Sequence, residues 1–278
     1  VLEWAPAHGG SGATALLLHG FGDAAATWDR VASRLVAAGL RALAPDMRGF
    51  GDGPRVPAGG YYHFVDYVAD VADIVDAAIG QAPLFLVGHS MGGSVSALYA
   101  GAFPERVTKL ALVEGLGPPD TPLETSPDRM RGWIEQVRGV RAREERVVGG
   151  MEDALRRLVA NHPKVDAATL RARLPQLVRE LPDGRVAWLA DPLHKTVGPV
   201  PFVAQSYMAF ARRVTCPVLN VSGGPEGWHV PGADERLASF RTHETVELAG
   251  AGHMMHWTRP EALADALVRF WTGETSSS

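Results

Sequence analysis

The chain has 278 residues, 46% hydrophobic and 21% charged, with a mean hydropathy of -0.02, enough apolar material to bury a sizeable core in one large α/β unit or two small ones. Its net charge of -4 (pI near 6.2) is spread without blocks of either sign, so small neutral molecules are better expected partners than nucleic acid or an anionic membrane. A single cysteine, Cys216, excludes an internal disulfide and reads as a semi-buried thiol before Pro217.

The opening "VLEWAPAHGG" carries no basic n-region and no long apolar stretch, and no run approaches the roughly 18 residues of a membrane span, so a soluble, cytoplasmic protein is expected. The chain begins on Val instead of Met, which is compatible with a removed leader or tag and with an opening strand that is missing or very short. "TALLLHG" (14–20) reads as a buried strand, and 23–39 as a helix with Trp28, Val31, Leu35 and Val36 at helical spacing and Gly39 as its stop. "LRALAPD" (40–46) is the next strand. Residues 64–80 give the clearest helix, with Val68, Val71, Ile74, Val75 and Ile79 on one face and Asp66, Asp70, Asp73 and Asp76 largely off it. "LFLVG" (84–88) is a strand, 90–103 a helix and "VTKLALVE" (107–114) a strand. Continuous apolar strands alternating with helices predict an α/β fold, a mostly parallel sheet with helices on both faces. Right-handed crossovers put its strand-to-helix loops on one edge.

After Glu114 the rhythm breaks. Residues 117–213 contain Pro-rich joints and Arg-rich helical segments around 128–147, 151–160 and 167–180 but no convincing strand. The alternation resumes with strands at 216–223 and 244–250 and a helix at 259–271. The predicted organisation is a core made of 1–116 and 214–278, with 117–213 inserted as a helical cap and "TGETSSS" as a disordered tail.

"VGHSMGG" (87–93) sets one serine between glycines, after a strand and at the start of a helix. Gly88 to Gly92 is a G-x-S-x-G pattern in the context that gives it meaning: glycines let the backbone turn sharply and lift Ser90 above the sheet edge. A serine hydroxyl is a poor nucleophile unless a base takes its proton and N–H donors meet the oxyanion it creates. Met91 N–H is the first such donor by the motif's geometry. Of ten histidines, His253 follows a strand and Gly252 and precedes a helix, in the chain order serine, acid, histidine; His256, three residues later, is its rival.

Four motifs in order resemble the α/β-hydrolase fold family across nearly the whole chain outside 117–213: "LLLHGFGDAAATW" resembles its His-Gly oxyanion strand, "APDMRGFGDG" its Asp-x-Arg-Gly-x-Gly turn, "GHSMG" its nucleophile elbow and "GAGHMMHWTRPE" its terminal histidine loop. Gly53 departs from the family, where many relatives carry Ser. The resemblance implies Phe21 N–H as second oxyanion donor, His19 as a loop former, and His253 in preference to His256 as base. For the acid it offers two positions. Glu226 in "GGPEG" lies where the common Gly-x-x-Asp pattern puts an Asp, and Glu114 lies where a subset resembling haloalkane dehalogenases carries its acid. A carboxylate closing a buried strand is costly unless paired, which favours Glu114; Asp234 is a further candidate.

Serine at the elbow argues against the epoxide hydrolase and dehalogenase relatives, which attack through Asp, and leaves acyl transfer to water. "GHMMH" lacks the Glu of His-Glu-x-x-His and no phosphate-binding glycine loop is present, so no metal and no cofactor are expected. The pocket is expected at Gly20, His89 and Met254 on the core and at Trp133, Trp188, Tyr207 and Met208 from the cap, with Phe202 and Phe210 as further candidates, although His89 should point into packing beneath the sheet edge. Arg129, Arg131, Arg138, Arg141 and Arg143 read as a solvated face. The expected function is that of a serine carboxylesterase acting on small to medium apolar esters, lactones among them, by a monomer or homodimer. A C–C bond hydrolase, a thioesterase, a perhydrolase-like enzyme and a ligand-binding receptor could share the same residues.

Overall fold

The computed structural model describes residues 1–8, 10–143 and 147–274. Part of the helix expected over 128–147 and the end of the expected disordered tail lie outside the described residues.

A seven-stranded sheet runs through the centre in the order β1-β3-β2-β4-β5-β9-β10. Its strands are β1 (Leu2–Trp4), β2 (Thr14–Leu18), β3 (Arg41–Ala44), β4 (Leu84–His89), β5 (Lys109–Val113), β9 (Val218–Ser222) and β10 (His243–Glu247). Only β1, three residues long, is antiparallel to its neighbour, β3. Successive strand residues point to opposite faces, and both faces are buried. Leu16, Leu18, Leu84, Leu86, Leu110, Leu112 and Val218 enter one apolar cluster, whereas Ala15, Leu17, Phe85, Val87, Ala111, Val113, Leu219 and Val221 enter the other.

Helices cover both faces. The first cluster is closed by α2 (Phe64–Ile74) and α3 (Met91–Ala102), the second by α1 (Asp29–Ala37) and α10 (Pro260–Thr272), which contact one another. The acidic face of α2 is held from outside, because Arg48, in the loop after β3, bonds Asp70 through two nitrogens and lies 3.6 Å from Asp66.

Residues 117–213 form α4 (Ser126–Arg141), α5 (Met151–Asn161) and α6 (Ala167–Arg173), and also a small antiparallel sheet of β6 (Val147–Val148), β8 (Val186–Trp188) and β7 (Val178–Glu180). This corrects the expectation of helices alone. The helix expected over 167–180 stops at Arg173, since Pro175 follows and residues 178–180 pair with β8. Leu155, Leu158, Leu170, Leu174 and Val186 make a third apolar cluster, which reaches Met254 and Trp257 of α9 (Met255–Thr258) and its lead-in. Buried Arg173 pairs with Asp29 at 2.7 Å, and Gln176 Nε2 donates to Ala26 O at 3.1 Å. Residues 189–197 are latched to the loop before α2: Asp191 N–H donates to Gly49 O at 2.8 Å and Tyr62 Oη to Asp191 Oδ2 at 2.8 Å.

The last helix of this segment, α7 (Ala204–Ala211), packs on α3 of the central layer so closely that a Cβ on Gly101 would lie 2.4 Å from Phe210 O. Beyond β9, α8 (Ala233–Ala238) presents buried Arg236, whose guanidinium donates to Leu116 O and Pro118 O and lies over the Phe202 ring. Among the described residues no helix is long and apolar enough to cross a membrane.

Candidate active site

The C-terminal ends of β2, β4, β5, β9 and β10 share one sheet edge, and each delivers part of the site to it. Ser90 occupies the single position between β4 and α3, with φ 52° and ψ -115°. Among the described non-glycine residues only Ser90 and Glu114 have positive φ, and they end neighbouring strands. Such backbone costs on the order of 1–3 kcal/mol and persists only where surrounding contacts enforce it. Here Ser90 N–H donates to Val113 O at 2.9 Å. The glycines are needed for close approach: a Cβ on Gly88 would meet Gly92 O at 2.3 Å, and one on Gly92 would meet Leu18 O at 2.4 Å.

His253 Nε2 is 3.2 Å from Ser90 Oγ, and its Nδ1 is 3.5 Å from Glu114 Oε2. The half-exposed imidazole reaches this position from the loop after β10, where Gly250 and Gly252 take left-handed φ values of 69° and 64°. Glu114 is buried. Its Oε1 accepts the Gly223 N–H at 2.5 Å and its Oε2 accepts the Trp228 N–H, so two backbone donors as well as the imidazole offset its lost hydration. Glu226 is exposed, its carboxylate makes no hydrogen bond among the described residues, and the donors on either side of it serve Glu114. Asp234 lines, with Glu114, Asn220, Ser222 and Trp228, a cavity of about 260 Å³.

The turn after β2 abuts the elbow: a Cβ on Gly20 would lie 3.2 Å from Ser90 Cβ. His19 shapes this turn, with Nδ1–H donating to Gly20 O at 2.8 Å and Nε2 accepting Met47 N–H at 3.0 Å. Burial holds its pKa below the usual histidine range against the nearby carboxylates of Asp23 and Asp46, which keeps it a neutral loop former. Phe21, next in the chain, is 58% exposed, and Trp228, whose ring lies 5.8 Å from that of His253, is 51% exposed. Two large aromatic side chains are therefore open to solvent, one in the turn that abuts Ser90 and one beside His253.

Several expected pocket residues lie elsewhere. Tyr207 and Met208 are buried between α3 and Phe240, because their helix belongs by packing to the central layer. Met254 is buried in the third cluster, and Trp188 packs against that cluster's edge. His89 is buried under the site, donating Nε2–H to His253 O at 2.8 Å, and burial holds it well below the usual histidine pKa, with His256 and His253 adding to the effect. Trp133 packs edge-on to Tyr61 against the first cluster, which Met91 also borders.

Sequence reasoning missed Gly223, Trp228 and Asp23. The first two act through backbone N–H groups, which side-chain chemistry does not advertise. Asp23 lies in the "HGFGD" turn and bonds buried His256 at 2.8 Å, so the Nε2 of His256 is committed to that carboxylate, while His253 is the histidine in reach of Ser90. Asp23, His89 and His256 offer donor atoms within 4.8 Å of one another, but His256 and Asp23 already share a hydrogen bond and all three are buried.

A serine hydroxyl, an imidazole and a buried carboxylate in succession, beside a turn and a helix N-terminus, form an arrangement able to carry acyl transfer. The alpha/beta hydrolase fold family matches residues 16–260 of the chain. A serine hydrolase-like protein of Danio rerio is 32% identical over 187 residues, covering 66% of this chain and 56% of its own. A probable serine hydrolase of Drosophila melanogaster is 27% identical over 266 residues, 92% of this chain and 80% of its own. Among solved structures, a hypothetical protein of Pseudomonas aeruginosa PAO1 superposes with a TM-score of 0.82 at 28% identity, covering 98% of this chain and 93% of its own. An esterase of Mycobacterium tuberculosis shares the fold, with a TM-score of 0.73 at 23% identity over 97% of this chain and 86% of its own. The chain belongs to the alpha/beta hydrolase fold family.

Proposed function

We propose that the protein is a serine carboxylesterase acting on small to medium apolar esters through an acyl-enzyme on Ser90. The observation that carries this reading is the run of contacts from Ser90 Oγ through His253 to Glu114, with Phe21 and Trp228 exposed beside it. His253 Nε2 takes the Ser90 proton as Oγ attacks the ester carbonyl, and Glu114 stabilises the imidazolium that forms. The oxyanion is met by the N–H groups of Phe21 and Met91, the second at the N-terminus of α3. His253 then gives its proton to the departing alcohol, and water activated by the same imidazole releases the acid. The 3.5 Å separation between Nδ1 and Glu114 shortens as the ring gains charge.

The part of 117–213 that lies outside the central layer serves as a cap. It leans on α9 and on the loop before α2. The exposed aromatic rings favour apolar acyl or alcohol groups over charged ones. Hydrolysis of nitrophenyl acetate, butyrate and octanoate by wild type and Ser90→Ala tests the reading. The expected outcome is turnover of the shorter esters by wild type, with activity lowered at least ~10³-fold in Ser90→Ala. No turnover at any chain length removes the esterase reading and directs the search to C–C bond substrates.

A further inference from the structure

Beneath Ser90 and His253 lies a second polar layer which the acyl transfer above does not use. His256 and Asp23 are 0% and 3% exposed, and His256 Nε2–H meets Asp23 Oδ2 at 2.8 Å. The other Asp23 oxygen accepts Ala24 N–H at 2.9 Å and Thr27 Oγ1–H at 2.8 Å, while Asp23 N–H closes the turn onto Gly20 O at 3.4 Å. The turn that carries Phe21 is thus tied to a residue three positions beyond the base. His89, which immediately precedes Ser90, holds the carbonyl of His253, and its ring centre lies 4.4 Å from that of His256. Contacts of this layer join the loops after β2 and β10 to each other and to the last residue of β4.

A buried ionisable pair is a poor source of stability, since an apolar pair of the same volume holds a core as well or better. What it adds is direction: an Nε2–H···Oδ2 bond fixes one separation where apolar packing tolerates a range. Oxyanion stabilisation is sensitive to such separations, because the donor must meet the developing charge within tenths of an ångström.

We propose that His256 and Asp23 are positioning residues that hold the Phe21 turn in register with His253, so that the oxyanion donor and the base address one carbonyl at once. The inference rests on the reading of Ser90, His253 and Phe21 given above. Neither His256 nor Asp23 touches substrate; both act through the loops they join.

A fluorophosphonate probe tests it without knowledge of the natural ester. Ser90 Oγ forms the O–P bond, the P–F bond breaks, fluoride departs and the serine proton passes to His253, while the phosphoryl oxygen occupies the oxyanion position. Wild type, Ser90→Ala, His256→Gln and the double variant Asp23→Leu with His256→Phe are compared by maximal labelling rate, half-saturating probe concentration and melting temperature. A Gln amide can replace Nε2–H toward Asp23, so His256→Gln is expected to label within about threefold of wild type. The apolar double variant strands no charge and is expected to melt at or above the wild-type temperature, yet to label roughly 10- to 100-fold more slowly at an unchanged half-saturating concentration. Should it fail to fold, His256→Asn, too short to reach Asp23, takes its place with the same expected slowing. A well-folded apolar variant labelling at the wild-type rate overturns the inference, as does equal slowing of His256→Gln, which would make ring shape the determinant. Absence of Ser90-dependent labelling in wild type removes the acyl-transfer reading itself, and the inference with it.

Discussion

Glu114 Oε1 accepts the backbone N–H of Gly223 at 2.5 Å, so a carboxylate at the end of β5 is held by the loop after β9, in which the rival Glu226 lies. That loop supplies amides to Glu114 while the Glu226 side chain stays in solvent. Glu114→Gln keeps the shape but removes the charge facing His253, and is expected to lower kcat on nitrophenyl butyrate roughly 10²- to 10⁴-fold. Glu226→Gln is expected to stay within about twofold of wild type, as most exposed substitutions do. Equal losses in the two variants would contradict the assignment of Glu114.

Gly92 faces the end of β2, and a methyl group there would lie 2.4 Å from Leu18 O and 2.6 Å from His19 O. Backbone cannot move aside as a side chain can. Gly92→Ala therefore forces the elbow and the Phe21 turn apart, at a cost of about 1–3 kcal/mol in stability and roughly 10²-fold in kcat. Urea melts and ester kinetics check both. A variant as active as wild type would show that this separation is not critical.

Trp228 contributes its N–H to Glu114 and leaves its ring exposed beside His253. Trp228→Ala preserves the amide and removes the ring. If the ring receives apolar substrate, KM for the octanoate ester is expected to rise about 5- to 20-fold, with acetate hardly affected, in line with about 1–2 kcal/mol of lost apolar contact. A uniform change across chain lengths would assign Trp228 to holding the acid instead.

The sheet was legible because period-two apolar strands buried on both faces read as short continuous runs, as in "TALLLHG" and "LFLVG". The meeting of Ser90 and His253 was legible because acyl-transfer chemistry requires particular side chains in a particular order. The small sheet was not: β6 to β8 have two or three residues each, too few for alternation to show. A signal was nevertheless present in Asp183-Gly184 between "VRE" and "VAW", a hairpin dipeptide. Tyr207 and Met208 were misplaced because an aromatic helical face has the same pattern whether it meets substrate or another helix. His256 and Asp23 are far apart in sequence, and only the fold pairs them.

Tyr207 illustrates the difference. Its hydroxyl is fully buried with no hydrogen-bond partner among the described residues, and burial pushes its pKa above the usual tyrosine range. Removing an unsatisfied buried group relieves a desolvation cost. Tyr207→Phe is expected to raise stability by about 0.5–1 kcal/mol and leave kcat and KM unchanged, as judged by thermal melts and nitrophenyl butyrate kinetics. A marked KM increase would return Tyr207 to the pocket.

His194 anchors the 189–197 segment by stacking on Phe50 at 3.9 Å, with Tyr62 at 4.2 Å and Phe21 edge-on at 6.0 Å. Burial in this aromatic setting lowers its pKa from 6.5 to about 4, against the opposing pull of Asp191 and of backbone hydrogen bonds. As pH falls below about 6.5 the unfolded chain takes up a proton at this ring while the folded protein does not, so the contribution of His194 to stability is complete above pH 6.5, erodes down to about pH 4 and is constant below. The loss over that window is on the order of 2 kcal/mol, less than the full shift implies because the side chain is not sealed from water. His194→Phe retains the stack and removes the titration. Buried His19 and His89 also favour their neutral forms and steepen the acid side in both proteins, so the informative quantity is the difference between the two curves. Denaturant melts from pH 7.5 to 4 are expected to show the variant gaining on wild type steadily below pH 6.5. Parallel curves would mean that His194 is protonated without disturbing the stack, and that acid does not loosen this latch.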